Sequence, residues 1–183
     1  MIIVVVLLVV LVLLAIIVGV LYNGLVRLRN KVESAWAQID VQLTRRSELI
    51  PNLVETVKGY AAHEKTTLDA VIQARNMANS ATTPADKAAA DNVLTGALKS
   101  VFALAEAYPD LKANQNFLNL QDTLTATEDK IAYARQYYND TVKQYNTKTQ
   151  TVPTSLIAKQ FGFTAREYFE AGGSARGPVD VQF

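Results

Sequence analysis

Two hydrophobic patterns divide the chain. The first is an unbroken apolar run over residues 2–22, which contains no charged side chain. At about 1.5 Å per residue, a helix of this length spans roughly the 30 Å hydrocarbon core of a bilayer. A cleavable signal peptide would instead have basic residues before a shorter apolar core and a small-residue cleavage site. The run therefore predicts a transmembrane helix that is retained as an anchor.

The second pattern is periodic, with apolar residues recurring every three or four positions, as on the buried face of an amphipathic helix. After the anchor, the positions are Leu25, Leu28, Val32, Trp36, Ile39, Leu43 and Ile50. In the second half they are Phe117, Leu120, Leu124, Thr127, Ile131, Ala134, Tyr138, Thr141 and Tyr145. Shorter versions lie in 53–79 and 85–107. Helical segments with few strand signals predict an all-α protein, in which the transmembrane helix continues into an antiparallel bundle of long helices.

Prolines indicate where these helices begin and end, because proline lacks an amide donor and clashes with the preceding turn. We expect Pro51 to end the first helix at Ile50, after about 49 residues or roughly 73 Å. Thr83 before Pro84, with Asp86 two residues later, is typical of a helix N-terminus with a hydroxyl cap.

The stretch AEAYPDLKANQNF, residues 105–117, combines a proline with several ionisable side chains. Glu106 and Asp110 could in principle form a general acid and base pair, but no histidine, cysteine or glycine-rich oxyanion loop accompanies them. We interpret the stretch as a corner. One helix ends before the proline, and the next is capped by Asn114 or Asn116.

Composition restricts the classes of function. The chain has 18 basic and 17 acidic residues and a net charge of +1. It therefore lacks the excess of basic residues that is typical of proteins that bind nucleic acid. It has no cysteine, which excludes disulfides and lipoprotein processing. About 160 residues after the anchor are enough for one domain. We therefore divide the chain into an anchor (1–22), a helical bundle (23–150) and a short C-terminal helix with an extended tail (151–183).

The charges that flank the apolar run predict its orientation. No lysine or arginine precedes the run, whereas Arg27, Arg29 and Lys31 follow it closely. Basic residues beside a membrane span tend to stay in the cytoplasm. We expect a single-pass protein of the inner cell membrane, with its N-terminus outside and its C-terminal domain in the cytoplasm.

Residues with catalytic or metal-binding chemistry are sparse. His63 and Glu64 begin like a zinc-protease motif, but HEKTT lacks the second histidine, and the chain has 1 histidine in total. We interpret GGSARG at 172–177 as a flexible connection rather than a phosphate-binding loop. No catalytic residue, cofactor site or metal site is predicted.

Two arginines fall near the apolar faces of their helices: Arg46 on the first and Arg75 on the second. Their long stems can cover apolar surface while their guanidinium groups reach water or pair with Asp40 or Glu64. Alternatively, they bind an anionic group of a partner or of a neighbouring subunit.

The apolar stripe nearest the membrane is a predicted self-association surface. It consists of Leu21, Leu25, Leu28 and Val32. We expect the other helices to leave it exposed, and exposed apolar stripes usually mark a contact surface. Confinement to a bilayer raises the effective concentration of copies, so we expect a homo-oligomer. The alternative is a monomer in which lipid headgroups and the segment around Phe161, Phe163 and Phe169 cover the stripe.

Long stretches of the chain resemble the LemA family. They are YNGLVRLRNKVESAWAQIDVQLTRRSELIPNLVETVKGYAAHE, AEAYPDLKANQNFLNLQDTLTATEDKIAYARQYYNDTVKQYN, and IAKQFGF with the terminal PVDVQF. The resemblance implies an N-terminal membrane helix with an external tip and a domain of long antiparallel helices. A magnetosome protein similar to this family takes part in making membrane compartments, so the resemblance also implies, by analogy, membrane-associated assembly.

Three functions are compatible with these features. The first is a membrane-anchored scaffold or adaptor without catalytic activity, which associates with itself or with other membrane proteins beside the lipid bilayer. The second is an accessory subunit of a membrane protease or another membrane enzyme. The third is a hydrolase whose site the sequence does not reveal. We favour the scaffold because the anchor runs directly into a helix and no catalytic constellation is present.

Overall fold

The computed structural model describes residues 1–170, and its regular structure over that range is entirely helical. Its elements are α1 (Ile2–Lys58), α2 (Lys65–Ser80), α3 (Pro84–Ala105), α4 (Pro109–Lys112), α5 (Gln115–Gln150) and α6 (Thr154–Gln160). The all-α prediction and the short C-terminal helix are confirmed. The predicted connection at 172–177 and the end of the predicted tail lie outside the described residues.

Helix α1 does not end at Ile50, so the predicted break at Pro51 is wrong. The helix continues through Pro51 to Lys58, and a non-helical connection, residues 59–64, leads to α2. The second helix therefore begins at Lys65 rather than near residue 53. The physical reason that Pro51 is tolerated lies in a contact from α2, described below.

The chain forms two compact units, to both of which α1 and α5 contribute residues. Unit 1 comprises Met1–Ala37 and Gln136–Glu167, and unit 2 comprises Gln38–Arg135 with the segment that begins at Tyr168.

In unit 1, α1 and α5 run antiparallel. The Trp36 ring lies 5.5 Å from the Tyr138 ring, and Lys148 lies beside Gly24, so the two sequences pair in opposite order. The core of this unit is formed by α1, α5 and the C-terminal segment. Its buried apolar residues are Leu25, Val32, Ala35, Tyr138, Val142, Tyr145, Ala158 and Phe163.

Helix α6 ends in a glycine turn that reverses the chain towards α1. Gly162 has a φ of 71°, which glycine adopts without the steric cost of a side chain. The Phe163 amide donates to the Ala158 carbonyl at 2.9 Å, which closes the helix end. This turn directs Phe163 into the core of unit 1.

In unit 2, α2 and α3 pack closely together and against the second half of α1. The largest buried side chains of this core include Ile50, Leu53, Leu94, Leu111 and Phe117. Phe169, from the segment after unit 1, is also buried in unit 2.

The predicted caps are confirmed. The Thr83 hydroxyl accepts a hydrogen bond from the Asp86 amide at 3.1 Å, with Pro84 at the start of α3. At the corner, Asn114 accepts from the Phe117 amide at 3.0 Å and so caps α5. The intervening turn is the short helix α4. The corner interpretation of residues 105–117 therefore holds.

Candidate functional site

The first part of α1 is suited to membrane insertion. The helix includes a stretch that is long and apolar enough to cross a bilayer, and no residue of that stretch is buried within the structure. Large apolar side chains are exposed from Ile2 to Val18 without interruption by a charge. In water, so large an apolar surface would be strongly unfavourable. This segment is therefore a candidate single-pass anchor.

The stripe that follows the anchor is largely covered by its own chain. Leu25 and Val32 are 1% and 3% exposed, so their expected exposure is wrong. Leu21 and Leu28 are half-buried. Lys148 of α5 and Thr154 of α6 lie beside Leu21, Leu25 and Leu28, so α5 and the C-terminal segment contribute to the cover. Self-association of the chain remains a prediction, but Leu25 and Val32 are not available to a second copy.

An aromatic cluster joins the C-terminal segment to α1 at the end of the apolar run. The Tyr22 ring lies 5.0 Å from the Phe161 ring and 5.6 Å from the Phe163 ring, both with edge contacts. The Arg29 guanidinium lies 5.4 Å from the centre of the Phe163 ring. Such edge contacts contribute about 0.5–1.5 kcal/mol each beyond the area they bury.

Hydrogen bonds from α5 hold the chain after α6 in place. Asn146 donates to the Arg166 carbonyl at 2.9 Å and accepts from the Arg166 amide at 2.8 Å. The Tyr138 hydroxyl donates to the Glu167 carbonyl at 2.9 Å. Burial raises the pKa of Tyr138 above its ordinary value. The backbone at Arg166 and Glu167 is thus fixed to α5 although it forms no helix.

Unit 2 contains a buried ionic cluster centred on Arg46. The Arg46 side chain is 3% exposed, and its Nη1 lies 2.7 Å from both an Asp91 oxygen and a Glu128 oxygen. Its Nη2 donates to the Thr95 hydroxyl at 2.9 Å. The cluster therefore connects α1 with α3 and α5. The predicted pairing of Arg46 with Asp40 or Glu64 is wrong.

Asp91 is the buried carboxyl group of this cluster. Burial raises its pKa above the ordinary value, and the Arg46 guanidinium opposes that rise by favouring the ionised form. Arg46 in turn keeps one nitrogen, Nε, without a hydrogen-bond partner among the described residues. Buried charges of this kind are costly unless they are paired, so each member of the cluster depends on the others.

Arg75 has a different role, which concerns Pro51. Proline has no amide hydrogen, so it cannot donate to the carbonyl four residues earlier, which is that of Ser47. The Arg75 Nε donates to this Ser47 carbonyl at 3.1 Å. The Ser47 hydroxyl also donates to Asn79 at 2.7 Å. Helix α2 thereby supplies the donor that Pro51 lacks, which explains why α1 continues through the proline.

A small cavity lies next to the ionic cluster. It has a volume of about 110 Å³ and is lined by Leu43, Thr44, Ser47, Ala78, Asn79, Lys87, Asp91 and Leu94. Several of its polar groups are bonded to the chain itself: Ser47 to Asn79, Lys87 to Asp40, and Asp91 to Arg46. The cavity is large enough for a few water molecules.

Sequence reasoning missed Asp91, Thr95 and Glu128 as partners of Arg46. Asp91 has one available signal, because it is an acidic residue among the apolar positions of α3, where an unpaired charge is rarely tolerated. Glu106 and Asp110, which we do not interpret as an acid and base pair, are both exposed at the corner. Glu106 is exposed and pairs with Lys112. His63 is exposed in the connection between α1 and α2.

Comparison with known proteins identifies the family. The family model described as "LemA family" matches residues 35–183. The chain belongs to the LemA family. This match covers the ionic cluster, the segment around α6 and the bundle from residue 35 onwards.

Curated relatives agree with this assignment. Protein LemA of Metamycoplasma hominis is 28% identical over 163 residues, which cover 87% of this chain and 73% of the relative. Magnetosome protein MamQ 2 of Paramagnetospirillum magneticum is 23% identical over 184 residues, which cover 86% of this chain and 68% of the relative. Magnetosome protein MamQ of Magnetospirillum gryphiswaldense is 24% identical with the same coverage. Together with the apolar helix, these likenesses indicate a membrane-associated helical protein.

Proposed function

We propose that this LemA-family chain is a membrane-anchored scaffold or adaptor, without catalytic activity, that associates with itself or organises partner proteins at the membrane. One observation carries the proposal. Helix α1 contains both the exposed apolar segment and buried core residues such as Ile39 and Ile50, without a linker between them. A membrane span that is also a core element of the fold suits a protein whose function is to hold something at the bilayer.

The ionic cluster supports a structural rather than a catalytic role. Arg46 and Asp91 are almost fully buried and pair with each other. A catalytic acid or base needs access to a substrate proton, within hydrogen-bond reach. The cluster instead connects three helices, which stabilises the surface that a scaffold would present.

The names of the relatives suggest where in the cell the chain acts. The MamQ proteins are named as magnetosome proteins. By analogy, we propose that the present chain acts in an assembly at a membrane. We further propose the inner cell membrane with the helical domain in the cytoplasm, because Arg27, Arg29 and Lys31 follow the anchor.

Site-directed crosslinking in native membranes tests self-association. The chain has no native cysteine, so every crosslink comes from the single cysteine that is introduced. The outward face of α1 beyond the anchor includes Asn23, Arg27, Asn30 and Ser34, all exposed. We expect crosslinks between copies at these positions with helical periodicity. Cysteines at the buried positions 25 and 32 serve as matched controls and should not crosslink.

The same membranes distinguish the alternatives. Absent crosslinks at every outward position, together with monomer-sized particles in lipid, would refute self-association. Purification of the full chain then shows whether a membrane protease or another enzyme accompanies it in constant proportion. Such a partner, with activity that depends on this chain, would favour the accessory-subunit alternative.

A further inference from the structure

At the corner before α6 and in its first turn, hydroxyl groups are buried while large apolar side chains are exposed. Val152, Leu156 and Phe161 are 78%, 64% and 53% exposed, whereas Thr154 and Ser155 are buried against the protein. We call the three exposed residues the α6 face. A short helix at the surface of a water-soluble domain normally buries its apolar residues and exposes its hydroxyl groups. The α6 face therefore suits an apolar environment.

The position of α6 in unit 1 indicates what that environment is. Thr154 and Lys148 line a cleft of about 110 Å³ with Val20, Leu21 and Gly24. These α1 residues lie where the apolar run ends, which is the level at which the helix leaves the hydrocarbon core.

Aromatic contacts fix the other end of α6 at the same level. Phe161 of the α6 face contacts the Tyr22 ring at 5.0 Å. Tyrosine is enriched at the boundary between membrane and water, because its ring is apolar and its hydroxyl is polar. Tyr22 is the last residue of the predicted span. Phe161, one residue of the α6 face, thus lies directly against the end of the apolar run.

The charge of this region is also suited to a lipid surface. The segment from Val152 to Phe161 contains Lys159 and no acidic residue. Lys148 and Arg27 are exposed in the same unit, close in sequence or space to the end of the apolar run. Basic side chains beside a membrane are attracted to anionic headgroups.

We propose that the α6 face is a second membrane contact, which inserts into the boundary between headgroups and acyl chains of the bilayer that α1 spans. This inference rests on the proposed membrane anchoring. Amphipathic elements of this kind are buried about 5–10 Å into the boundary region. The Lys159 and Lys148 side chains then reach anionic phospholipid headgroups, and the contact places unit 1 directly on the bilayer surface.

Depth-dependent fluorescence quenching tests the proposal with the full chain in vesicles of phosphatidylcholine and phosphatidylglycerol. Single cysteines at 152, 156 and 161 carry an environment-sensitive fluorophore, and a nitroxide sits near the top of the lipid acyl chains. A cysteine in place of Val10, within the anchor, reports insertion of α1. A cysteine in place of Gln136, which is exposed on α5 of the same unit, is the matched control for solvent exposure.

We expect the nitroxide to quench the labels on the α6 face strongly, and the label at position 136 to remain unquenched. A further label, on a cysteine in place of Gln160 next to Phe161, should be quenched in the parent chain. Replacing the α6 face by V152E, L156E and F161E should abolish that quenching, while the label at position 10 stays buried. Quenching at position 10, with α6 labels that behave like the one at 136, would overturn the second contact and leave the anchor intact. Failure of quenching at position 10 would overturn both. Crosslinks between cysteines at 156 of two copies, without lipid quenching, would overturn the lipid contact by showing that a second chain covers this face.

Discussion

The contact between Arg75 and the Ser47 carbonyl makes a specific prediction about Pro51. Replacing Arg75 by Met keeps most of the apolar stem and removes the donor. The Ser47 carbonyl then has neither a helical donor, because residue 51 is proline, nor a side-chain donor. We expect the Arg75→Met variant to be less stable than the parent chain.

The magnitude follows from the environment of the bond. Hydrogen bonds that involve a charged group contribute about 1.5–3 kcal/mol, and a buried group left unpaired costs about 1–3 kcal/mol. Ser47 is buried, but Arg75 is half-buried, so water can partly replace the donor. We therefore expect a loss of about 1–2 kcal/mol, which lowers the Tm of a chain of this size by roughly 2–8 °C.

A double-mutant cycle with Pro51→Ala separates this explanation from a general loss of packing. Alanine at position 51 restores an amide that can donate to the Ser47 carbonyl, and alanine favours the helix interior by about 3 kcal/mol over proline. In this background, Arg75→Met should cost less than about 0.5 kcal/mol, since the carbonyl has regained a partner.

The assay is thermal unfolding of the full chain in detergent micelles, followed by circular dichroism for all variants in parallel. Lys112→Met is the matched control, because Lys112 forms an exposed ion pair with Glu106, and exposed pairs contribute at most about 1 kcal/mol. Equal losses for Arg75→Met in the parent and in the Pro51→Ala background would refute the idea that Arg75 compensates for the proline.

Three other changes test the ionic cluster, the orientation and the lone histidine. Arg46→Met should cost about 3–5 kcal/mol in thermal unfolding at neutral pH, because it leaves a buried carboxylate unpaired. Burial raises the folded pKa of Asp91, so the stability that this group contributes is present at low pH and is lost as the pH rises through that pKa. The destabilisation caused by Arg46→Met should therefore become smaller when the pH is lowered. A reporter fused after Phe183 should be active only as a cytoplasmic reporter, and activity outside would overturn the orientation. His63→Ala should leave folding, membrane attachment and metal content unchanged, and stoichiometric metal binding lost in this variant would contradict that.

Local signals predicted the starts of α3 and α5. Thr83 with Pro84 and Asn114 before α5 are recognisable because a cap depends on a few neighbouring residues and on backbone groups that every helix leaves unpaired. The periodic apolar positions from Phe117 to Tyr145 are recognisable for a similar reason, since periodicity is a property of one helix alone.

Features that depend on two distant segments were not predictable in the same way. Pro51 indicates a break when only its own helix is considered, and the compensating donor lies on α2. Arg46 near an apolar face does not reveal whether Asp40 or Asp91 is its partner, because that choice depends on how the helices pack. In both cases a tertiary contact overrides a local rule.

The C-terminal segment shows the same limitation for burial. Leu25 and Val32 have the spacing of a membrane-proximal contact surface, and the sequence leaves open what covers them. The turn at Gly162 brings Phe163 into the core of unit 1, and Asn146 holds the following backbone at Arg166. Leu25 lies against Lys148 of α5 and Thr154 of α6, and the periodicity of α1 contains no information about which distant segments cover it.

This arrangement changes where a second copy could bind. If Leu25 and Val32 are occupied within the chain, a homo-oligomer must form through the outward face of α1 or through the anchor itself. The outward face near Asn30 and Ser34 is polar and exposed. Polar contacts without a buried apolar centre contribute little to the affinity of a protein–protein interface. The anchor offers packing between apolar helices inside the bilayer, where confinement compensates for weak contacts. Self-association should therefore require residues 2–22, and a chain that lacks them should be monomeric in size-exclusion chromatography even where its helical units remain folded.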